Sequence, residues 1–429
     1  MSLVKIGVIG FGTVGAAVVK AIKQKAKLIA QQTGRRVEIK KVVDKDLRSQ
    51  RLVKLKKGVL SSQVNDILDD PEIEIVIELI GAVKPAREFI KKAIKNGKHV
   101  ITANKALLAM HGEELFKLAT KAGVELRFEA SVGGGIPIIK ALRESISVNQ
   151  IDYILGIVNG TTNYILTQMT KKHLSFKEAL TDAQAKGYAE ANPRLDISGI
   201  DSQHKLAILA MLAFGKKVSL DNIYVEGIQN ITPIDLEYAN DLECVVKLLA
   251  IAKVSNGELE VRVQPTLLPK EHLLSNVNGV FNAVHLKGDM AGQLLFYGQG
   301  AGGGPAASAV LGDLVDVVNV IKAGNSSAAP IINYQKRVKK IRKMGSSKSP
   351  YYIRFMTIDR PGMLSRISGT LGKKNISIKS VIQKERHSAQ AVPIVMITHE
   401  AREVDLQKAL KEIKKINGIK QSVVIRVEK

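Results

Sequence analysis

The most concentrated chemistry in the sequence lies between Gly187 and Lys205, where Glu190, Asp196, Asp201 and Lys205 fall within one short run. Acids together with a lysine suit a zwitterionic substrate, because the carboxylates grip an ammonium while the lysine serves a reacting oxygen. Asp201 and Lys205 stand at i and i+4, so they share a face of the apolar helix predicted from about Asp201 to Phe214. Glu190 and Asp196 sit just before that helix, on a segment broken by Pro193 and Gly199. The same residues also describe a helix N-terminus decorated with favourable acids and one ion pair. Spacing alone leaves the two readings level.

A second group opens the chain. Gly10-Phe11-Gly12-Thr13-Val14-Gly15 follows the strand pattern Val4 to Ile9 and precedes a helical run. Glycines there permit a tight turn and let a pyrophosphate approach the backbone at the helix N-terminus. The strand–turn–helix context makes this a dinucleotide-binding turn rather than a chance glycine run. After the second strand comes Asp44-Lys45-Asp46-Leu47-Arg48. Asp44 suits the ribose hydroxyls of NAD, whereas Lys45 and Arg48 suit the 2′-phosphate of NADP, and the choice stays open. For hydride chemistry the eight histidines show no paired ligand spacing and Cys244 is the one cysteine, which excludes a zinc dehydrogenase of the cysteine-ligated kind. Lysines remain. Lys105 follows Thr102 just past the end of a predicted strand, where parallel sheets bind their ligands, so both are expected at the cofactor.

These groups need a framework, and 429 residues supply several domains. Short β-branched runs at Val37 to Val43, Ile73 to Leu79 and His99 to Thr102 alternate with helical ones through residue 130, the pattern of an α/β parallel sheet. From about residue 140 the rhythm becomes mixed α+β, with strands expected at Leu259 to Leu267 and Asn282 to Leu286 separated by helical stretches. A Gly-rich run, Gly300 to Pro305, precedes a helix that returns to the first domain. Residues 323–349 have the Gly, Ser and basic composition of a linker. Beyond them the order βαββαβ predicts a ferredoxin-like domain. A net charge of +24 invites a nucleic-acid reading, yet aromatics are 4% and Trp is absent, so no nucleic-acid partner is expected. No apolar run reaches membrane-spanning length and no signal peptide opens the chain, so a cytoplasmic protein is expected.

Taken in order, these segments resemble homoserine dehydrogenase over most of residues 1 to 322. Val76 to Gly81, Glu129 to Pro137 and Asn159 to Leu166 add to the match, and Gly187 to Lys205 resembles the family signature at every acid and at its lysine. The resemblance implies interconversion of L-homoserine and L-aspartate 4-semialdehyde with NAD(P). It implies Lys205 as proton donor and acceptor, Lys105 as a second lysine at the reacting centre, and Glu190, Asp196 and Asp201 as the substrate-binding acids. Gly302 corresponds to a cofactor-contacting glycine. Glu129, with the carbonyls of Val132, Gly134 and Ile136, corresponds to a monovalent-cation site, usually sodium. In the family a basic residue after the second strand often meets the 2′-phosphate; here Asp44 precedes Lys45 and would repel it. The Gly303-Gly304-Pro305 sequence is also unusual beside Gly302.

The tail resembles an ACT domain, a regulatory amino-acid-binding module, with Asp359 to Leu364 as its strand-to-helix turn and Asn375 to Ile378 leading its second strand. Its implied effector is threonine or methionine, held by Asp359, Gly362 and Asn375; a domain used only for dimerisation is the alternative. The expected organisation is a Rossmann domain over 1–140 with a return helix at 302–322, a substrate and dimerisation domain over 141–301, the linker, and an ACT domain over 350–429. A homodimer or homotetramer is expected.

Overall fold

The computed structural model describes residues 2–51, 53–324, 338–384 and 391–428. The chain forms two compact units, one of Met1–Ile151, His204–Leu220 and Asn282–Arg337, the other of Asp152–Gln203, Asp221–Phe281 and Val338–Lys429.

In the first unit a parallel sheet runs Leu60–Ser61, Arg36–Val43, Leu3–Ile9, Ile73–Glu78, His99–Thr102, Leu126–Arg127 across its width. Strand order reverses beside Leu3–Ile9, and such a switch point opens a crevice at the carboxyl ends of the strands. Gly10, Asp44, Leu79 and Ala103 follow directly from four of those ends. The central strands Leu3–Ile9, Ile73–Glu78 and His99–Thr102 are rich in Val and Ile because both faces are covered, whereas Arg36–Val43 carries Arg, Glu and Lys between its apolar residues. Ile6, Val8, Ile75, Ile77 and Ile101 are buried with Val18, Val19 and Ile22 of helix Thr13–Thr33 and Val310, Leu314 and Val317 of helix Gly303–Ala323. By length and composition the latter helix could cross a membrane, but its apolar face packs in this core. Gly303 accounts for that packing, since a Cβ there would stand 3.1 Å from the Ala17 side chain.

The second unit is organised by the hairpin Cys244–Ser255 and Glu258–Pro269. Its two-residue turn is Asn256-Gly257, both at positive φ (52° and 75°), as a twisted hairpin requires. Strand Ile151–Ile157 pairs with the first arm. The outer edge of the second arm is covered piecewise by Lys340–Ile341, Tyr224–Val225 and Ile419–Val427. From Ile419–Val427 the sheet continues through Tyr351–Thr357, Val392–Thr398 and Ile378–Ile382. Helices Met363–Lys373 and Glu403–Ile413 pack on it around Ile353, Phe355, Ile367, Leu371, Leu406 and Ile413. This is the ferredoxin-like βαββαβ order.

Buried ion pairs join the C-terminal strands to the hairpin's surroundings. Arg354 donates to both oxygens of Asp235 at 2.7 and 3.0 Å, and the Tyr352 hydroxyl donates to Asp235 at 3.1 Å. Arg426 donates to Glu403 at 2.7 Å and to Glu226 at 2.7 Å.

Three features depart from expectation. Cys244–Ser255 and Gly292–Gln299 are strands that the reading of the sequence passed over. Between Pro269 and Phe281 the chain makes turns rather than a helix. The expected linker is partly paired, through Lys340–Ile341 and through Lys348–Ser349, which pairs with Ala401–Arg402; its residues 325–337, among them the basic Lys336 and Arg337, lie outside the described residues. For Lys340–Ile341 the edge of strand Glu258–Pro269 supplies the reason, because unpaired strand N–H and C=O groups recruit whatever backbone is at hand.

Candidate functional site

In the first unit the glycine turn is held by contact of backbone with backbone. A Cβ on Gly15 would stand 2.0 Å from the Gly10 carbonyl oxygen, and one on Gly10 (φ +99°) 2.8 Å from Leu79 backbone atoms. Gly12 differs: nothing lies within 4 Å of its added Cβ, so its outer face is open to an incoming group. Phe11 is buried in the core and presents only its backbone, while Thr13 and Val14 begin the helix. Gly10 and Gly12 line a cleft of about 460 Å³ with Asp44, Lys45, Gln63, Ile80 and Pro85. The cleft, the bare Gly12 and the helix N-terminus fit a dinucleotide.

Asp44 has work of its own in this turn. One carboxylate oxygen accepts the Phe11 N–H at 2.5 Å, and the other accepts the Asp46 N–H at 2.9 Å. Lys45 lines the cleft; Arg48 is exposed and does not. Arg51 does reach this region: it pairs with Asp46 at 3.2 Å, stands 3.9 Å from Asp44 and lies over the Phe11 ring. Reading the sequence gave Arg51 no role.

Lys105 is half-buried and opens helix Lys105–Ala122. The cap residue Asn104 accepts the Leu107 N–H at 3.1 Å and donates to the Ala82 carbonyl at 3.1 Å. The Asn104 N–H donates to the Thr102 hydroxyl oxygen, which donates in turn to Glu78 at 2.6 Å. Glu78 also accepts the Ile80 N–H at 2.7 Å. Burial pushes the Glu78 carboxyl above its ordinary value against these hydrogen bonds. Thr102 and Glu78 thus tie two strand ends to the helix that begins at Lys105. Lys205 is buried in helix Ile200–Phe214, which meets the Lys105 helix where Gly112 faces the Met211 side chain.

Glu129 is buried, and its oxygens accept backbone N–H groups from Ile139 (2.9 Å) and Lys140 (2.7 Å). Its own N–H donates to Asp313, whose carboxyl is pushed up to about 7 by burial. Among the described residues no group of His, Cys, Asp and Glu side chains is assembled to hold a metal. Burial raises the pKa of the Glu129 carboxyl as well, and the Val132 to Ile136 segment follows it closely in the chain; a carboxylate with backbone carbonyls is an oxygen-only donor set of the kind a hard monovalent cation takes. Gly302 caps helix Gly303–Ala323 in an extended left-side conformation (φ 115°).

The acids of the second unit converge on a residue that spacing did not single out. Asn159 donates from its amide nitrogen to Asp196 at 2.7 Å and to Asp201 at 2.8 Å. Asp196 lies in the short helix Arg194–Ile197 and Asp201 in the next helix. Gly199 (φ +85°) turns the chain between them, and its Cβ would press on Val225 and Val263 at 3.1 and 3.2 Å, so a side chain is excluded there. Glu190 is exposed on the loop ahead, which Gln184 ties down by donating to the Glu190 carbonyl at 3.1 Å. Thr161 donates to the Tyr188 carbonyl at 2.6 Å, and the Tyr188 ring packs on Tyr164. In the C-terminal domain Gly362 caps helix Met363–Lys373 and Asp359 precedes it. Asn375 follows the far end of that helix, about 16 Å away at 1.5 Å per residue. Within one chain the three residues expected to hold an effector do not come together.

Three family models match the chain: homoserine dehydrogenase over residues 137–315, the homoserine dehydrogenase NAD-binding domain over residues 10–129, and the ACT domain over residues 351–418. The homoserine dehydrogenase of Pseudomonas aeruginosa is 41% identical over 433 residues, covering 100% of this chain and 99% of that protein. A crystal structure of a homoserine dehydrogenase from Thiobacillus denitrificans superposes with a TM-score of 0.91 at 40% identity, over 100% of this chain and 99% of that one. A hyperthermophilic archaeal homoserine dehydrogenase in complex with NADPH superposes with a TM-score of 0.63 at 27% identity, over 73% of this chain and 97% of that one.

Proposed function

The chain belongs to the homoserine dehydrogenase family, and from that membership we propose how its residues divide the work. The protein is an NAD(P)-dependent oxidoreductase that interconverts L-homoserine and L-aspartate 4-semialdehyde, a step toward threonine and methionine. When bound, the nicotinamide supplies the hydride chemistry. The turn Gly10 to Gly15 holds the pyrophosphate against the helix N-terminus. Lys205 gives a proton to the C4 oxygen during reduction and takes it back during oxidation. Lys105, fixed by the Asn104 cap, supports the charge that develops on the same oxygen. Glu190, Asp196 and Asp201 grip the substrate ammonium. One observation favours that reading over helix decoration: Asp201 is buried and, with Asp196 from another helix, is gathered onto one amide.

Cofactor choice belongs to Asp44 and Lys45, the acid disfavouring a 2′-phosphate and the lysine favouring it. Glu129 and the carbonyls of Val132, Gly134 and Ile136 hold a sodium ion in a structural role. The ACT domain binds threonine or methionine through Asp359, Gly362 and Asn375. Because the two ends of its helix stand apart within one chain, the site draws on a second copy, consistent with a homodimer or homotetramer. The same reading divides the chain into 1–140 with a return helix at 302–322, 141–301, 323–349 and 350–429, and has the enzyme work in the cytoplasm.

The decisive assay follows NADH and NADPH oxidation by the full chain with aspartate 4-semialdehyde. Turnover with at least one cofactor is expected. Turnover with other aldehydes and none with this one would overturn the substrate assignment.

A further inference from the structure

We infer that Asn159 is the positioning residue of the substrate site, holding Asp196 and Asp201 as an ionised pair. The inference rests on the reading that these acids bind the substrate ammonium, and it says what makes them a pair.

Asn159 is buried and follows strand Ile151–Ile157 as the cap of helix Gly160–Lys172. Both ends of its side chain are engaged. The carbonyl oxygen accepts the Thr162 N–H at 2.9 Å and the Thr162 hydroxyl at 3.0 Å. A backbone N–H can only donate, so the cap fixes which end of the amide faces the helix. The nitrogen must then point the other way, and its two hydrogens meet Asp196 and Asp201. An ionised carboxylate only accepts, and hydrogen bonds to the charged form favour it. The neutral amide thus lessens the repulsion between two acids and links them across two helices, adding no positive charge of its own to that of Lys205, which shares a helix face with Asp201.

Other cap residues would not serve. Serine and aspartate cap a helix as well as asparagine. Serine is too short to span two carboxylates, and aspartate would place a third negative charge among them. The need for asparagine thus comes from its donor end, not from the helix.

The test compares full-length Asn159→Ser, Asn159→Asp and Asp201→Asn enzymes. For Asn159→Ser, losing two charge-assisted hydrogen bonds should raise the KM for homoserine on the order of ten-fold or more, with a smaller fall in kcat. The acid limb of the kcat/KM profile should move to higher pH, because the acids lose donors that favour ionisation. NADPH binding, followed by fluorescence titration, should stay at the wild-type value. Asn159→Asp should raise KM further, and lowering the pH should recover part of that loss. Wild-type KM and pH profile in Asn159→Ser would overturn the inference, as would a KM rise accompanied by lost NADPH binding and a lowered melting temperature, the signature of a cap alone. Asp201→Asn separates the two levels. If it raises KM while Asn159→Ser does not, only the role of Asn159 fails. If it leaves KM unchanged, the substrate role of the acids fails and the inference with it.

Discussion

The glycine turn at residues 10–15 and the acid cluster at residues 190–201 hold their groups in place by opposite means. In the turn, position is set by exclusion: Gly10 and Gly15 leave no room for a Cβ because backbone atoms fill it. In the cluster, position is set by attraction: two carboxylates on separate helices are drawn to the Asn159 amide. Exclusion is rigid and indifferent to pH, which suits a cofactor that presents a constant pyrophosphate. Hydrogen bonds to carboxylates can shift and are sensitive to protonation, which suits the proposed role of a site that takes and releases a zwitterion. The contrast also divides the kinetics. Damage to the turn should appear in cofactor affinity and damage to the cluster in substrate affinity, and the proton-transfer role proposed for Lys205 predicts a third class of damage, to the chemical step.

The largest effect tests that role. Lys205→Ala should lower kcat on the order of 100-fold or more while NADPH binding stays near wild type. Turnover retained at the wild-type rate would reduce Lys205 to an i,i+4 companion of Asp201. Next in size is a pair of alanines within the turn. Gly15→Ala forces a Cβ against the Gly10 carbonyl and should lower both the melting temperature and cofactor affinity. Gly12→Ala meets open space in the protein itself, so its melting temperature should hold while NAD(P)H binding weakens. Equal melting losses in the two variants would show that the turn is not held as described.

The same contrast explains what could be read in advance. Exclusion is local: Gly10, Gly12 and Gly15 lie within one turn between a strand and a helix, so the motif announces itself. Attraction is long-range: Asn159 lies far along the chain from Asp201, and no spacing rule ties an amide after one strand to acids on two later helices. Glu78 escaped notice for the same reason, since it finds Thr102 only after the strands pair; Arg51 pairs locally with Asp46, but no periodicity marks a loop ion pair. One useful signal was overlooked. Asn256-Gly257 between two apolar runs is a hairpin signature, and it would have revealed strand Cys244–Ser255, whose apolar run, interrupted by Lys247 and Lys253, otherwise suits helix or strand alike. The ferredoxin-like order of the C-terminal domain was legible because its strands alternate and its helices are amphipathic. Its seating against Asp235 and Glu226 was not, because single buried charges carry no periodicity.

A smaller effect sharpens the account of the turn, where Asp44 combines both means. Asp44→Ser removes a charge from the cofactor cleft and also the acceptor of the Phe11 N–H. The ratio of kcat/KM for NADPH over NADH should rise several-fold, and Lys45→Ala should lower it. Cofactor ratios unchanged in both variants would remove these residues from the choice and direct attention to Arg51.

The smallest effect on turnover is expected far from both regions, where attraction holds a domain rather than a ligand. Glu403 is buried and accepts from Arg426, Gln407 and the Tyr351 hydroxyl. Burial raises its pKa, but the hydrogen bond and charge of Arg426, with Gln407 and Tyr351, outweigh burial and leave it below the usual carboxylate value. Arg426 stays charged throughout, since its own pKa is raised further. A carboxylate that binds its proton less tightly when folded stabilises the fold fully above its unfolded pKa, near 4.5, and loses that contribution as pH falls through the lower folded value. Thermal unfolding followed from neutral pH down past this range should therefore show a melting temperature that falls on acidification. In Glu403→Gln the melting temperature should start lower at neutral pH, because Arg426 loses a charged partner in a buried site, and its further fall on acidification should be shallower. Basal turnover at neutral pH should change little, since Glu403 touches neither the turn nor the acids. Arg426 also pairs with Glu226, and the next residue but one, Ile228, donates its N–H to the Ile197 carbonyl at 3.0 Å, beside Asp196. A variant whose homoserine KM changed as much as its melting temperature would show that this short path transmits strain to the acid cluster, and that the two ways of holding a group are coupled after all.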